Sequence, residues 1–183
     1  MGRGESMFLL EQKVVYPGHG VAIVARIFEK TFGQSMTVFY ELQFLNKDMT
    51  VMVAMDRTEE VGIRPISPLK HIHEILESLL IPTKSIEQLE MTASNWNRRN
   101  KEYQNKLRTG SLKDISEIYR DLKYIGQYKE LSFGEKNLLT RTEALLVEEV
   151  AAAQNLETEK AIEKVRSFFM PFTQQKPVQH ISL

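Results

Sequence analysis

The chain has 183 residues, of which 42% are apolar and 26% charged, with 24 basic side chains balancing 24 acidic ones. This is the make-up of an ordinary globular protein of one domain or two small ones, and its zero net charge gives no hint of a nucleic-acid partner. Cysteine is absent, which excludes disulfides, a thiolate nucleophile and Cys–zinc sites and fits a reducing cytoplasm. No run approaches the ~20 apolar residues of a membrane helix, and MGRGESMFLL lacks the apolar core of a signal peptide.

After a flexible lead-in expected over residues 1–6, the first third reads as strands. Val14-Val15-Tyr16 and the run Val21–Ile27 flank the tight break Pro17-Gly18-His19-Gly20. Val38, Tyr40, Leu42 and Phe44 recur at every second position, on one face of a further strand. Thr50–Met55 follows the Asn46-Lys47-Asp48 turn, and Gly62 and Pro65 punctuate the exit. Four or five strands in ~60 residues predict a small, strongly bent sheet or barrel. Its modest core is expected to lean on the rest of the chain.

From Pro68 the periodicity becomes helical. Leu69, Ile72, His73, Leu76, Leu79 and Leu80 mark the inner face of a first helix that ends before Pro82, and a polar linker runs from Thr83 to Thr92. A second helix opens at Ser94 or Asn95 and closes near Gly110. A third starts at Ser111 with Leu112, Ile115, Ile118, Tyr119, Leu122 and Ile125 inward. Ser132 and Glu135 form the capping box of a fourth, whose face is Leu138, Leu139, Leu145, Leu146 and Val150. A fifth runs from about Leu156 to Phe169. The fold class expected is therefore α+β: a β module over residues 7–66, a helical module of about five helices over 67–170, and a flexible tail over 171–183.

The zero net charge hides an uneven distribution. Residues 94–141 carry 11 basic and 6 acidic groups, whereas residues 142–170 carry 3 and 6. The basic span opens on SNWNRR, which holds the only tryptophan, Trp96. Its near neighbours are all polar: Asn95, Asn97, Arg98, Arg99 and Asn100. Trp96 either packs against a neighbouring helix while the arginines are solvated, or forms a flat apolar wedge beside groups that suit phosphate. A wedge of this kind enters a minor groove at a distorted base step while cations hold the flanking backbone.

The segments VVYPGHGV (14–21), DMTVMV (48–53), EEVGIRP (59–65), SNWNRR (94–99), RDL (120–122) and LSFGEK (131–136) together resemble the CarD-like (CarD/CdnL) bacterial transcription regulators, in the family's order and spacing over roughly residues 8–153. The resemblance implies an N-terminal Tudor-like barrel that binds the β subunit of bacterial RNA polymerase. It also implies a C-terminal helical domain that contacts promoter DNA at the upstream edge of the transcription bubble and stabilises the open complex. It assigns the DNA side to Trp96 as wedge, with Arg98, Lys101 and Lys136, to which the reading of the helix start adds Asn95 and Arg99, and the polymerase side to Lys30 and the strand residues Thr50, Val51, Met52 and Val53. Met52 stands where some relatives carry arginine. On this reading the chain is a monomeric cytoplasmic regulator, not an enzyme, with no cofactor, metal or membrane contact. The alternative is a protein-interaction adaptor without direct DNA contact, in which Trp96 is a core or docking residue.

Other candidates are weaker. His71 and His73, two residues apart on a helix, point about 200° from each other and do not share an ion easily, and His73 is expected at the edge of the core. His19 in PGHG has no phosphate-loop lysine behind it, so a tight turn is the better reading. No Walker A or G-x-S-x-G motif is present, which argues against motor function of the kind found in the transcription–repair coupling ATPase, whose polymerase-binding domain is related. The apolar strand Thr50–Met55 is either interior or an edge strand that pairs with a partner.

Overall fold

The computed structural model of the protein describes residues 8–32, 35–81 and 96–169. The expected lead-in, the linker Thr83–Thr92, the helix start at Ser94 or Asn95 and the tail after 170 lie outside them.

Five antiparallel strands make one sheet: β1 (Lys13–Tyr16), β2 (Gly20–Phe32), β3 (Ser35–Phe44), β4 (Thr50–Ala54) and β5 (Arg64–Pro65), in the order β4-β3-β2-β1-β5. β2 continues five residues past the Val21–Ile27 run and pairs with β3 from Ala22↔Phe44 to Phe32↔Ser35. The register slips between Val24 and Arg26, the kind of irregularity that bends a small sheet. Alternation then decides the core: Val14, Ala22, Val24, Tyr40, Leu42, Phe44 and Val53 face inward with Phe8 and Ile63. The Tyr40 hydroxyl accepts from the Phe8 backbone N–H at 3.1 Å, so the largest buried ring of the sheet keeps its polar end satisfied. β4 lies at an edge of the sheet formed by the described residues and is not an interior strand there.

A short helix α1 (Thr58–Val61), not anticipated from the sequence, follows β4 and ends on Gly62 in the left-handed region. The long helices come next: α2 (Leu69–Ser78), α3 (Trp96–Thr109), α4 (Leu112–Tyr128), α5 (Phe133–Gln154) and α6 (Thr158–Ser167). Ser111 caps α4 by accepting from the Asp114 N–H, and Ser132 with Glu135 closes the capping box of α5 in both directions. The inner face of α4 is as the spacing predicts, with Leu112, Ile115, Ile118, Tyr119, Leu122 and Ile125 all buried. The face of α2 differs. Ile72, Ile75, Leu76 and Leu79 are buried, while Leu69 and His73 are exposed. The apolar stripe is centred one residue further round than Leu69 and His73 suggest, and His73 is not at the core edge. None of the described helices is long and apolar enough to cross a membrane.

The sheet and the helices are fastened by ion pairs and backbone hydrogen bonds. Arg64 on β5 donates to both carboxylate oxygens of Glu149 on α5 at 2.6 and 2.8 Å, and to the Gly110 carbonyl at 3.0 and 2.8 Å. Ser67 adds its N–H and hydroxyl to Glu149 at 3.0 and 2.7 Å. The adjacent Glu148 accepts from the Val21 N–H at 3.0 Å, and about two turns earlier on α5 Arg141 donates to the Gly18 carbonyl at 3.0 Å. Gly110 has φ +65°, and an added Cβ would lie 2.9–3.1 Å from Pro17, so glycine serves both the left-handed turn and the close approach of the sheet. The small sheet thus leans on the helical half, as its size requires.

Candidate nucleic-acid interface

Trp96 is the first described residue of α3, half-buried against the helical core. Two elements fix its ring. Arg99, one turn on, lies with its guanidinium carbon 5.8 Å from the indole centroid, within range of a cation–π contact. The second is the first turn of α5, where a Cβ on Gly134 would meet Trp96 Cζ2 at 3.1 Å. Only a glycine lets the helix approach the ring so closely. Gly134→Ala is expected to push the indole by a few tenths of an ångström. Its emission maximum should shift, while stability changes by less than about 1 kcal/mol, since alanine favours the helix. A fluorescence spectrum identical to the parent's would mean the ring is not seated there.

Arg99 itself corrects an expectation. It was assigned to phosphate, but its side chain is only 3% exposed and it donates to Glu135 Oε1 at 2.7 Å, with Glu135 1% exposed. Glu135 gathers further donors: the Ser132 N–H at 2.8 Å and Lys129 at 3.1 and 3.3 Å. Burial alone would raise the Glu135 pKa, but the Ser132 backbone and side-chain hydrogen bonds, Arg99 and Lys129 outweigh it and push it down to about 2. The Glu135 carboxylate, held between Arg99 and Lys129, is therefore ionised throughout the neutral range. Arg99 acts as an internal brace that holds Trp96 in place.

The remaining cations divide. Arg98 and Lys101 are exposed on α3, three residues apart and so on one face. Lys136 is exposed on α5 and pairs with Glu130 at 2.8 Å. Asn95 lies outside the described residues. Not all of the basic span is available to an anion: Arg120 is buried and donates to the Ser78 carbonyl at 2.6 Å, and Lys106 pairs with Glu117 at 2.7 Å. The RDL segment is likewise internal, with Arg120, Asp121 and Leu122 all buried.

The residues expected to meet polymerase lie on the sheet. Lys30 is exposed near the end of β2, in register with Thr37. On the edge strand β4, Thr50 and Met52 face outward, Met52 with 60% of its surface exposed, whereas Val51 is half-buried and Val53 is buried. The Val53 side chain is therefore part of the sheet's core and not of its surface. Phe133, which sequence reasoning passed over, is 81% exposed at the start of α5. The helix's buried set begins with Glu135 and Leu138, so the spacing places Phe133 off the inner face.

Two family descriptions match the chain end to end of this architecture: "CarD-like/TRCF RID domain" over residues 8–67 and "CarD, C-terminal domain" over residues 83–166. The chain belongs to the CarD-like family. A Bacillus subtilis (strain 168) protein named "Putative transcription factor YdeB" is 29% identical over 163 residues, covering 85% of this chain and 97% of that protein. The CarD-like chain is thus a member of a family of transcription regulators, not of an enzyme class, and its sheet matches a domain type associated with RNA polymerase.

Proposed function

We propose that this protein stabilises the open promoter complex of bacterial RNA polymerase. The sheet docks on the polymerase β subunit through edge strand β4 and Lys30, and Trp96 presses into the minor groove at the upstream edge of the bubble. The observation that carries the reading is the posture of Trp96: a lone indole, half-exposed and held by Arg99 and the start of α5, with Arg98 and Lys101 exposed just behind it in sequence. An edge strand supplies backbone groups for a β–β contact: within Thr50, Val51, Met52 and Val53, the alternate residues whose N–H and C=O point away from β3 contribute the main-chain hydrogen bonds. Docking then raises the local concentration of the helical half near DNA to roughly the mM range, so few direct DNA contacts suffice. This agrees with a chain of zero net charge. Asn95 and the α3 cations flank the wedge, and the protein acts as a cytoplasmic monomer without a cofactor.

The test is addition of the purified protein to polymerase holoenzyme and promoter DNA. It should co-elute with the polymerase and lengthen the life of the open complex; a chain that does neither overturns the reading. The adaptor alternative draws on the half-burial of Trp96. It is separated by adding fork-junction DNA to the polymerase-bound protein, where quenching of the indole supports the wedge and an unresponsive indole supports the adaptor.

Salt dependence probes the cations. Each phosphate neutralised contributes about −0.9 to the slope of log K against log salt, so Lys136→Ala should flatten it by about one contact. The Lys136–Glu130 pair is exposed and therefore cheap to exchange for phosphate. Glu130→Gln should accordingly tighten DNA binding at low salt. Slopes that do not move in either variant would put Lys136 away from DNA.

A further inference from the structure

Phe133 is the most exposed large apolar side chain among the described residues, at 81%. It does not lie on a frayed end. It is the first residue of a 22-residue helix whose start is locked by the Ser132–Glu135 capping box. A Cβ on the adjacent Gly134 would meet Trp96 Cζ2 at 3.1 Å, so the start of α5 that carries Phe133 lies close to the indole. One turn along the same face of α5 come Lys136 and Asn137, both exposed. Arg98 and Lys101 lie on the first turns of α3. A solvated ring on a capped helix start that lies close to the indole, with exposed cations on both helices, has the chemistry of a surface on which nucleic-acid bases stack while the phosphates are held. The same rim disfavours an apolar protein partner, whose docking would strip water from those charges.

We infer that Phe133 is a second DNA-contacting aromatic, which stacks on an unpaired base of the melted strand next to the step wedged by Trp96. The inference rests on the promoter-DNA reading and extends it. Trp96 would meet the junction, and Phe133 the first base freed beyond it. Stacking needs a π face and not merely apolar bulk, and a paired base offers no such face. The contact therefore discriminates melted DNA from duplex, and so can shift the closed–open equilibrium.

The experiment measures binding of full-length protein, bound to polymerase, to a fork-junction DNA with unpaired bases at the upstream edge and to a fully paired duplex of the same sequence. Phe133→Ala should weaken fork binding about tenfold and leave duplex binding unchanged. Phe133→Tyr should retain fork binding and Phe133→Leu should lose it. Since the side chain is exposed, all three variants should unfold at the parent's midpoint. Equal fork affinity for Phe133→Ala and the parent, with Trp96→Ala still impaired, overturns the role of Phe133 while leaving the wedge intact. Full rescue by Phe133→Leu, or equal losses on fork and duplex, overturns stacking. Loss in neither the Phe133 nor the Trp96 variant overturns the promoter-DNA reading itself.

Discussion

Trp96→Ala is expected to shorten the lifetime of polymerase open complexes by about tenfold, without reducing the protein's affinity for polymerase. The size follows from the wedge chemistry: an indole that favours opened over closed DNA by about 1.4 kcal/mol changes their ratio tenfold. The separation of the two effects follows from the geometry. Trp96 belongs to the helical core cluster, while β4 and Lys30 lie on the sheet. Trp96→Phe should fall between the two, because it keeps a ring but loses reach over Gly134. Lifetimes are read by competitor challenge of preformed open complexes, and polymerase affinity by titration of labelled protein. A lifetime unchanged in Trp96→Ala, at saturating protein, would remove the wedge from the mechanism.

The second large effect is on stability. Glu135→Ala strands the Arg99 guanidinium in the interior without its carboxylate, at a cost of about 3–5 kcal/mol. For a chain of this length that should lower the unfolding midpoint by on the order of 10 °C. Glu135→Gln keeps an oxygen for the Ser132 N–H and should lose less. Arg99→Met combined with Glu135→Leu removes both charges together and should recover much of the loss, because a buried pair is often replaceable by apolar groups of similar volume. Acid probes the same group. The Glu135 pKa lies near 2 in the folded protein against an ordinary 4.5, so the unfolded chain takes up the proton first. The resulting stabilisation is complete above pH 4.5 and is lost as pH falls toward 2. Allowing for solvent near Lys129, it amounts to on the order of 2 kcal/mol. Urea titrations between pH 2 and 6 measure it, and Glu135→Gln should flatten that limb. A Glu135→Ala variant within 1 kcal/mol of the parent would contradict the buried geometry. The same variant should also loosen the indole that Arg99 supports, so its effect on open complexes should exceed that of an equally destabilising change elsewhere in the core.

Much of this architecture can be read from the sequence, because it is written in local signals. Alternation marked β3, glycine and proline marked the turns around β1, and Ser111 and the Ser132–Glu135 pair announced two helix starts. What could not be read depends on distance along the chain. Arg99 looked like a phosphate ligand because its neighbours are polar, but its partner Glu135 is 36 residues away. Glu135 was legible as a cap and not as a counter-ion. Arg64 sits in a recognisable EEVGIRP segment, yet its partner Glu149 lies 85 residues on. Leu69 and His73 illustrate a smaller error: a helical stripe inferred from apolar residues alone drifts when its first member lies at the solvent-facing end of the first turn. Phe133 is legible in the sequence, since five residues to Leu138 is not a helical repeat and sets its ring off the inner face of α5.

The Arg64–Glu149 joint has a consequence for geometry at the promoter. A bidentate ion pair with carbonyl and hydroxyl reinforcement, flanked by the Glu148 and Arg141 contacts, leaves little freedom to swivel. If the proposed docking holds, a protein anchored at one end by the enzyme and stiff through its middle would behave as a bracket that measures a fixed offset. Promoters would then be discriminated by how readily their duplex bends and opens at that offset, with no need to read a base sequence.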